Sequence, residues 1–278
     1  MKILTFRTAD GTRAARVKGD EVVELDFADA GALLASGSDW RRQAEQADGR
    51  RHRLAELDLA PVVVAPRKII CLGLNYTAHI LEMGRELPLH PTLFAKFARS
   101  LIGARDPIVV PTDQTDWEVE LALVIGSEVR HADREQAGAA IAGYTVCNDI
   151  SVRDFQNRTV EWLQGKIFEN STPLGPWLVT TDELVSDPAE TPDLALRCEV
   201  DGDVRQSSRT SDLLFGPAAI VEYVSRIVSL EPGDVISTGT PGGVGVGRKP
   251  PVFLAPGQVV RTVVEGVGEL VNECVAEK

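Results

Sequence analysis

Three groups of residues have types and spacings suited to chemistry. In Asp116-Trp117-Glu118-Val119-Glu120-Leu121, two glutamates stand two residues apart. In a strand they project from one face while Val119 and Leu121 point to the other. Paired carboxylates repel unless a cation sits between them, and a hard divalent ion such as Mg²⁺ or Mn²⁺ takes oxygen ligands. The pair alone equally fits the solvated face of an amphipathic strand. Asp149 adds a third carboxylate where the apolar run Gly143–Cys147 opens into Asn-Asp-Ile-Ser-Val-Arg-Asp. Turn chemistry or a helix N-cap would use an aspartate there as well. His79 and Glu82 share a helical face at a spacing of three. Such a pair can activate water, with the carboxylate fixing the imidazole tautomer; a surface helical pair has the same spacing.

Other patterns argue against particular chemistries. Ser237–Gly247 is rich in glycine, but no Lys-Ser/Thr follows, and Arg248-Lys249-Pro250-Pro251 blocks a helix from starting there. A phosphate cradle is therefore poorly supported, while a turn that brings backbone close to a ligand stays open. There is no G-x-S-x-G elbow and no H-E-x-x-H. Cys71, Cys147, Cys198 and Cys274 form no C-x-x-C pair, so zinc-ribbon and thioredoxin-like readings lack support. They read as small buried hydrophobes in a reducing compartment.

The elements that position these residues are mostly strands. KILTF, TRAARV and EVVEL are short runs separated by the turn pairs Asp10-Gly11 and Gly19-Asp20. Helical stretches are expected at 28–35 and 39–47, with a linker over 50–66. Further on, strands are expected at 68–72, 117–125 and 143–149, and a hairpin at 194–209 around Asp201-Gly202-Asp203. Helices are expected at 75–83, capped by Gly84, at 132–142 and at 216–229. Strands dominate without βαβ alternation, which predicts a β-rich α+β fold: a small N-terminal α/β domain over residues 1–60 and a larger domain over 61–278.

With 278 residues the chain can bury a sizeable core without disulfides or structural metal. Its net charge of −12 argues against nucleic-acid or anionic-membrane surfaces, which need a basic footprint. No signal-peptide core or membrane span is evident, so the expectation is a cytoplasmic protein.

Residues 68–274 resemble the fumarylacetoacetate hydrolase family, in particular its bacterial members with a short N-terminal domain. The segments that carry the resemblance are ICLGLNYTAHILEMG, PTLFAKF, DWEVELALVIG, GYTVCNDISVRDFQ, WLQGKIF, STPLGPWLVT, PGDVISTGTPGGVG and EGVGELVNE, in family order. The resemblance implies a mixed β-roll or sandwich, a homodimer and a divalent metal, Mg²⁺ or Mn²⁺, on Glu118, Glu120 and Asp149. It implies a water-activating pair at His79 and Glu82 on a lid segment, and a lysine, Lys166, that stabilises a developing anion. Arg153, Gln156 and Thr240 fall at substrate-contacting positions. The implied chemistry passes through an enolate. The first reading is a metal-dependent hydrolase cleaving the C–C bond of an acylpyruvate or fumarylpyruvate. The alternative on the same core is an oxaloacetate decarboxylase or tautomerase, or an isomerase or hydratase of 2-oxo diacids.

Overall fold

The computed structural model describes residues 1–278 except Met83, Arg85 and Lys278; of Glu82 it describes the backbone only. Among the described residues, the strands form an eleven-stranded sheet, a five-stranded sheet and a two-stranded ribbon. The large sheet runs, edge to edge, Arg51–Arg53, Glu21–Glu24, Gly11–Lys18, Lys2–Thr8, Thr172–Thr180, Ile141–Asn148, Val119–Ile125, Val235–Ser237, Ile69–Gly73 and Thr92–Lys96; Leu101–Ile102 pairs off this path with Thr172–Thr180. The β-rich α+β architecture is as expected. The N-terminal hairpins turn at Gly11 and Gly19, both at positive φ, and strand Lys2–Thr8 pairs antiparallel with Thr172–Thr180. The strands of the first sixty residues therefore continue the same sheet.

The segment over 50–66 departs from the expected linker. It carries the strand Arg51–Arg53 and a 3₁₀ turn at Leu54–Glu56, and Leu59, Val62 and Val63 are buried. Its apolar residues pack into the core, which holds the segment in place despite its charged start. The helix expected over 132–142 is Arg134–Ala139. It opens on a capping box in which Asp133 accepts from Gln136 and the Gln136 side chain answers the Asp133 backbone. It ends early because Ile141 already belongs to a strand. Among the described residues no helix is long and apolar enough to cross a membrane. All four cysteines are free and buried.

The site hangs on strand Val119–Ile125, near the middle of the large sheet and buried along its whole length. Its alternation is real but has two buried faces. Val119, Leu121, Leu123 and Ile125 join Leu196, Val260 and Leu270 of the five-stranded sheet in one core, whereas Ala122 and Val124 join Leu33, Leu34 and Trp40 of the N-terminal helices in another. Glu118 and Glu120 fall in the second register. The solvated outer face that their spacing also allowed is thus excluded: Glu118 is 7% exposed and Glu120 0%.

Candidate metal centre and substrate pocket

Strand register brings the three carboxylates together. Val119 lies opposite Asn148, and the strand ends are tied by Asp149 N–H donating to Glu118 O (2.9 Å) and Glu118 N–H donating to Asn148 Oδ1 (2.9 Å). One ligand oxygen from each of Glu118, Glu120 and Asp149 lies within 4.8 Å of the other two. Asp149 is neither a turn aspartate nor a cap. It is fully buried, accepting from Lys96 Nζ on Oδ1 (2.7 Å) and from Lys166 Nζ on Oδ2 (2.7 Å). Lys166 Nζ also donates to Glu118 Oε2 (2.8 Å).

A second layer holds Glu118. The two-stranded ribbon pairs Ser151 with Asp116, which sets Arg153 beside Asp116. The guanidinium donates from Nε to Asp116 Oδ2 (2.8 Å) and from Nη1 to Gln156 Oε1 (2.8 Å). Its Nη2 makes ion-pair contacts of 2.8 Å with both Asp116 and Glu118. Asp116 in turn accepts backbone N–H groups from Gly245 (2.7 Å) and Val246 (3.0 Å). The glycine-rich stretch therefore does cradle anions with its backbone, but they are the protein's own carboxylates. Gly239 N–H donates to Glu120 Oε2 (2.9 Å), and Ser237 Oγ donates to the same oxygen. Glycine is required at 245, where a Cβ would lie 1.9 Å from Val252 O, and at 239, where φ is +98°.

These groups border a small cavity of about 240 Å³ lined by His79, Phe94, Glu118, Arg153, Gln156, Trp162, Lys166 and Thr240, among others. Thr240 is engaged on the protein side: Oγ1 donates to Val119 O (2.9 Å) and accepts from Gln206 Nε2 (2.7 Å). His79 reaches the cavity from the helix Thr77–Glu82. The side chain of Glu82, its expected partner, lies outside the described residues. Three residues of the cluster carried no assignment from sequence: Lys96, Asp116 and Ser237. A lysine closing the apolar run Leu93-Phe94-Ala95 was the available signal for Lys96.

The charges decide what can bind. Among the described residues, the carboxylates of Asp116, Glu118, Glu120 and Asp149 meet the cations Lys96, Lys166 and Arg153. The formal sum is −1, which a divalent ion would turn to +1. Burial alone would raise Asp149, but the charges of Lys166 and Lys96 outweigh it and hold the carboxyl at about 2. Burial would lower Lys166, yet Asp149 and Glu118 push it above the ordinary lysine range, so it acts as a fixed charge and not as a base. Glu120 moves the other way. Burial, then Asp149 and Glu118, raise its carboxyl well above the usual range, with only partial relief from Ser237. Its Oε1 is buried without a hydrogen-bond partner.

That buried oxygen, inside an all-oxygen donor set, is what a hard cation would satisfy, so these residues fit a divalent metal. Metal loading must displace any proton held by Glu120. The affinity for Mn²⁺ should therefore rise with pH above the ordinary carboxylate range, with protons released on binding. Calorimetry in buffers of different ionisation enthalpy measures both; a pH-independent affinity would contradict the assignment of Glu120.

The chain belongs to the fumarylacetoacetate hydrolase family: the fumarylacetoacetate (FAA) hydrolase C-terminal domain matches residues 68–275. Over 293 aligned residues it is 39% identical to the mitochondrial oxaloacetate tautomerase fahd2 of Xenopus laevis, covering 99% of this chain and 90% of that protein. Among solved structures, it is similar to a fumarylacetoacetate hydrolase from Exiguobacterium antarcticum (TM-score 0.88, 33% identity, 100% of both chains). It is also similar to a maleylpyruvate hydrolase from Sphingobium sp. SYK-6, solved with manganese(II) and pyruvate (TM-score 0.82, 30% identity, 100% of both chains).

Proposed function

We propose that this enzyme is a divalent-metal-dependent oxaloacetate tautomerase, one of the alternatives to C–C hydrolysis that the sequence resemblance leaves open. The observation that carries the reading is the charge balance of the pocket. With a divalent ion on Glu118, Glu120 and Asp149 the site is net positive, and the cavity of about 240 Å³ is small, below the usual range of ligand pockets. A short dianionic 2-oxo acid suits both properties. The full-length likeness to an oxaloacetate tautomerase supports the same choice over C–C hydrolysis.

The reaction breaks a C–H bond on carbon 3 and forms an O–H bond on the oxygen of carbon 2: the proton passes from carbon 3 to water, leaving an enolate, and water returns a proton to the oxygen, so no co-reactant is consumed. A divalent ion would supply Lewis-acid polarisation of the 2-oxo group. Lys166, kept protonated by Asp149 and Glu118, holds positive charge where the enolate's negative charge develops. Arg153 orients Glu118 and braces Gln156 at the cavity wall.

Hydrolysis of an acylpyruvate-type bond is the second reading, favoured by His79 at the cavity and by the likeness to the maleylpyruvate hydrolase. The two differ in their need for an activated water. His79→Ala should keep oxaloacetate tautomerisation within about tenfold, whereas a water-activating histidine would account for about 10²–10⁴ in a hydrolysis rate. Following the enol absorbance of oxaloacetate and pyruvate release from maleylpyruvate in parallel separates them. Hydrolysis in the wild type that disappears in His79→Ala, with no tautomerisation in either, would establish the second reading.

A further inference from the structure

Trp162 stands between two cavities. With Phe94 it lines the site pocket, and the same two rings line an apolar groove of about 560 Å³ whose other walls include Ile70, Leu93, Val160 and Ile227. The rings meet edge to face, with centroids 5.7 Å apart at 72°. Phe94 also faces the Lys166 ammonium at 4.8 Å, so its placement is already tied to the charged cluster. Among the described residues no cation stacks on the Trp162 ring, yet room is kept for it. A Cβ on residue 73 would lie 2.2 Å from its Cζ3 and 2.7 Å from its Cη2. Gly73 does not have the left-handed backbone that calls for glycine elsewhere, so the indole ring itself explains the missing side chain.

We infer that Trp162 is a specificity-determining residue, the wall that confines the pocket to 2-oxo acids with short chains beyond carbon 2. The inference rests on the reading of the pocket as a 2-oxo acid site. A substrate held by its 2-oxo carboxylate end near Lys166 and the carboxylate cluster directs the rest of its chain toward the surrounding walls, of which Phe94 and Trp162 have open apolar space behind them; Phe94 is tied to the Lys166 ammonium, which leaves the indole as the wall that sets chain length. Without that ring the chain would continue into the groove, where each methylene removed from water contributes about fourfold in affinity.

The test is calorimetric titration of Mn²⁺-loaded wild type, Trp162→Phe and Trp162→Val with 2-oxobutanoate, 2-oxohexanoate and 2-oxooctanoate. Wild type should bind the shortest acid best. Trp162→Val should reverse the order, shifting the ratio of longest to shortest by on the order of a hundredfold, with Trp162→Phe between the two. Equal weakening of all three acids in both variants would overturn the inference and leave Trp162 as support for the turn that carries Lys166. Wild type binding 2-oxooctanoate as tightly as 2-oxobutanoate would overturn it too. Oxaloacetate turnover on the same preparations reports separately on the tautomerase reading: its absence, with the chain-length preference intact, removes that reading and leaves the wall.

Discussion

Lys96→Met is expected to lower the unfolding free energy of the metal-free protein by about 3–5 kcal/mol. Methionine nearly preserves the volume, so the loss would come from charge. Lys96 and Asp149 have side chains 1% and 0% exposed, and Lys96 Nζ also serves the carbonyl of Ile150 (3.1 Å). Removing the ammonium leaves Asp149 Oδ1 and that carbonyl buried without a donor, and breaking a buried pair from one side costs far more than an exposed pair contributes. Lys166 still holds Oδ2, so the carboxylate stays charged and cannot escape the penalty cheaply. Urea denaturation followed by circular dichroism measures the change. A loss below about 1 kcal/mol, the scale of an exposed pair, would show that Asp149 is not held by Lys96.

Lys166→Met should separate metal binding from turnover. The substitution removes a positive charge from between Glu118 and Asp149, which leaves the carboxylates free for a cation. Mn²⁺ affinity should therefore hold or increase. Oxaloacetate tautomerisation at saturating Mn²⁺ should nonetheless fall by about 10²–10³, the usual cost of removing one preorganised group that stabilises a developing oxyanion. The metal also offsets the stability lost with the ammonium, so the loaded variant is the form to assay. Calorimetry and the enol absorbance assay give the two readouts. If activity and affinity fell together, Lys166 would be an organiser of the metal site with no separate charge role.

Much of the fold was legible because its signals are local. The Asp201-Gly202 hairpin joins strands Ala195–Val200 and Asp203–Arg209, with both turn residues at positive φ. The shared face of Glu118 and Glu120 follows from the two-residue period of a strand. Burial of the two glutamates was not legible, because it depends on Arg153, Lys166, Ser237 and Gly239 arriving over them from distant segments. The pairing of Glu118 with Asp149 depends on one register, Val119 opposite Asn148, across thirty-odd residues of chain. Lys96 was hidden for the same reason: its partner is 53 residues away, and a lone lysine at a strand end has no spacing signature. Arg153 sat at a position associated with substrate contact, whereas its guanidinium is committed to Asp116, Glu118 and Gln156. The resemblance placed the residue in the site, and only the hydrogen bonds around it describe its work there.

The most direct test of the central claim is oxaloacetate tautomerisation by chelator-stripped wild type, followed by enol absorbance before and after Mn²⁺ or Mg²⁺ is restored. The site predicts negligible catalysis above the buffer rate without metal, and recovery on adding either ion, with no pyruvate released from maleylpyruvate. Tautomerisation that is undiminished after stripping would contradict the role of Glu118, Glu120 and Asp149. Metal-restored pyruvate release without tautomerisation would contradict the choice of reaction while leaving the metal centre intact.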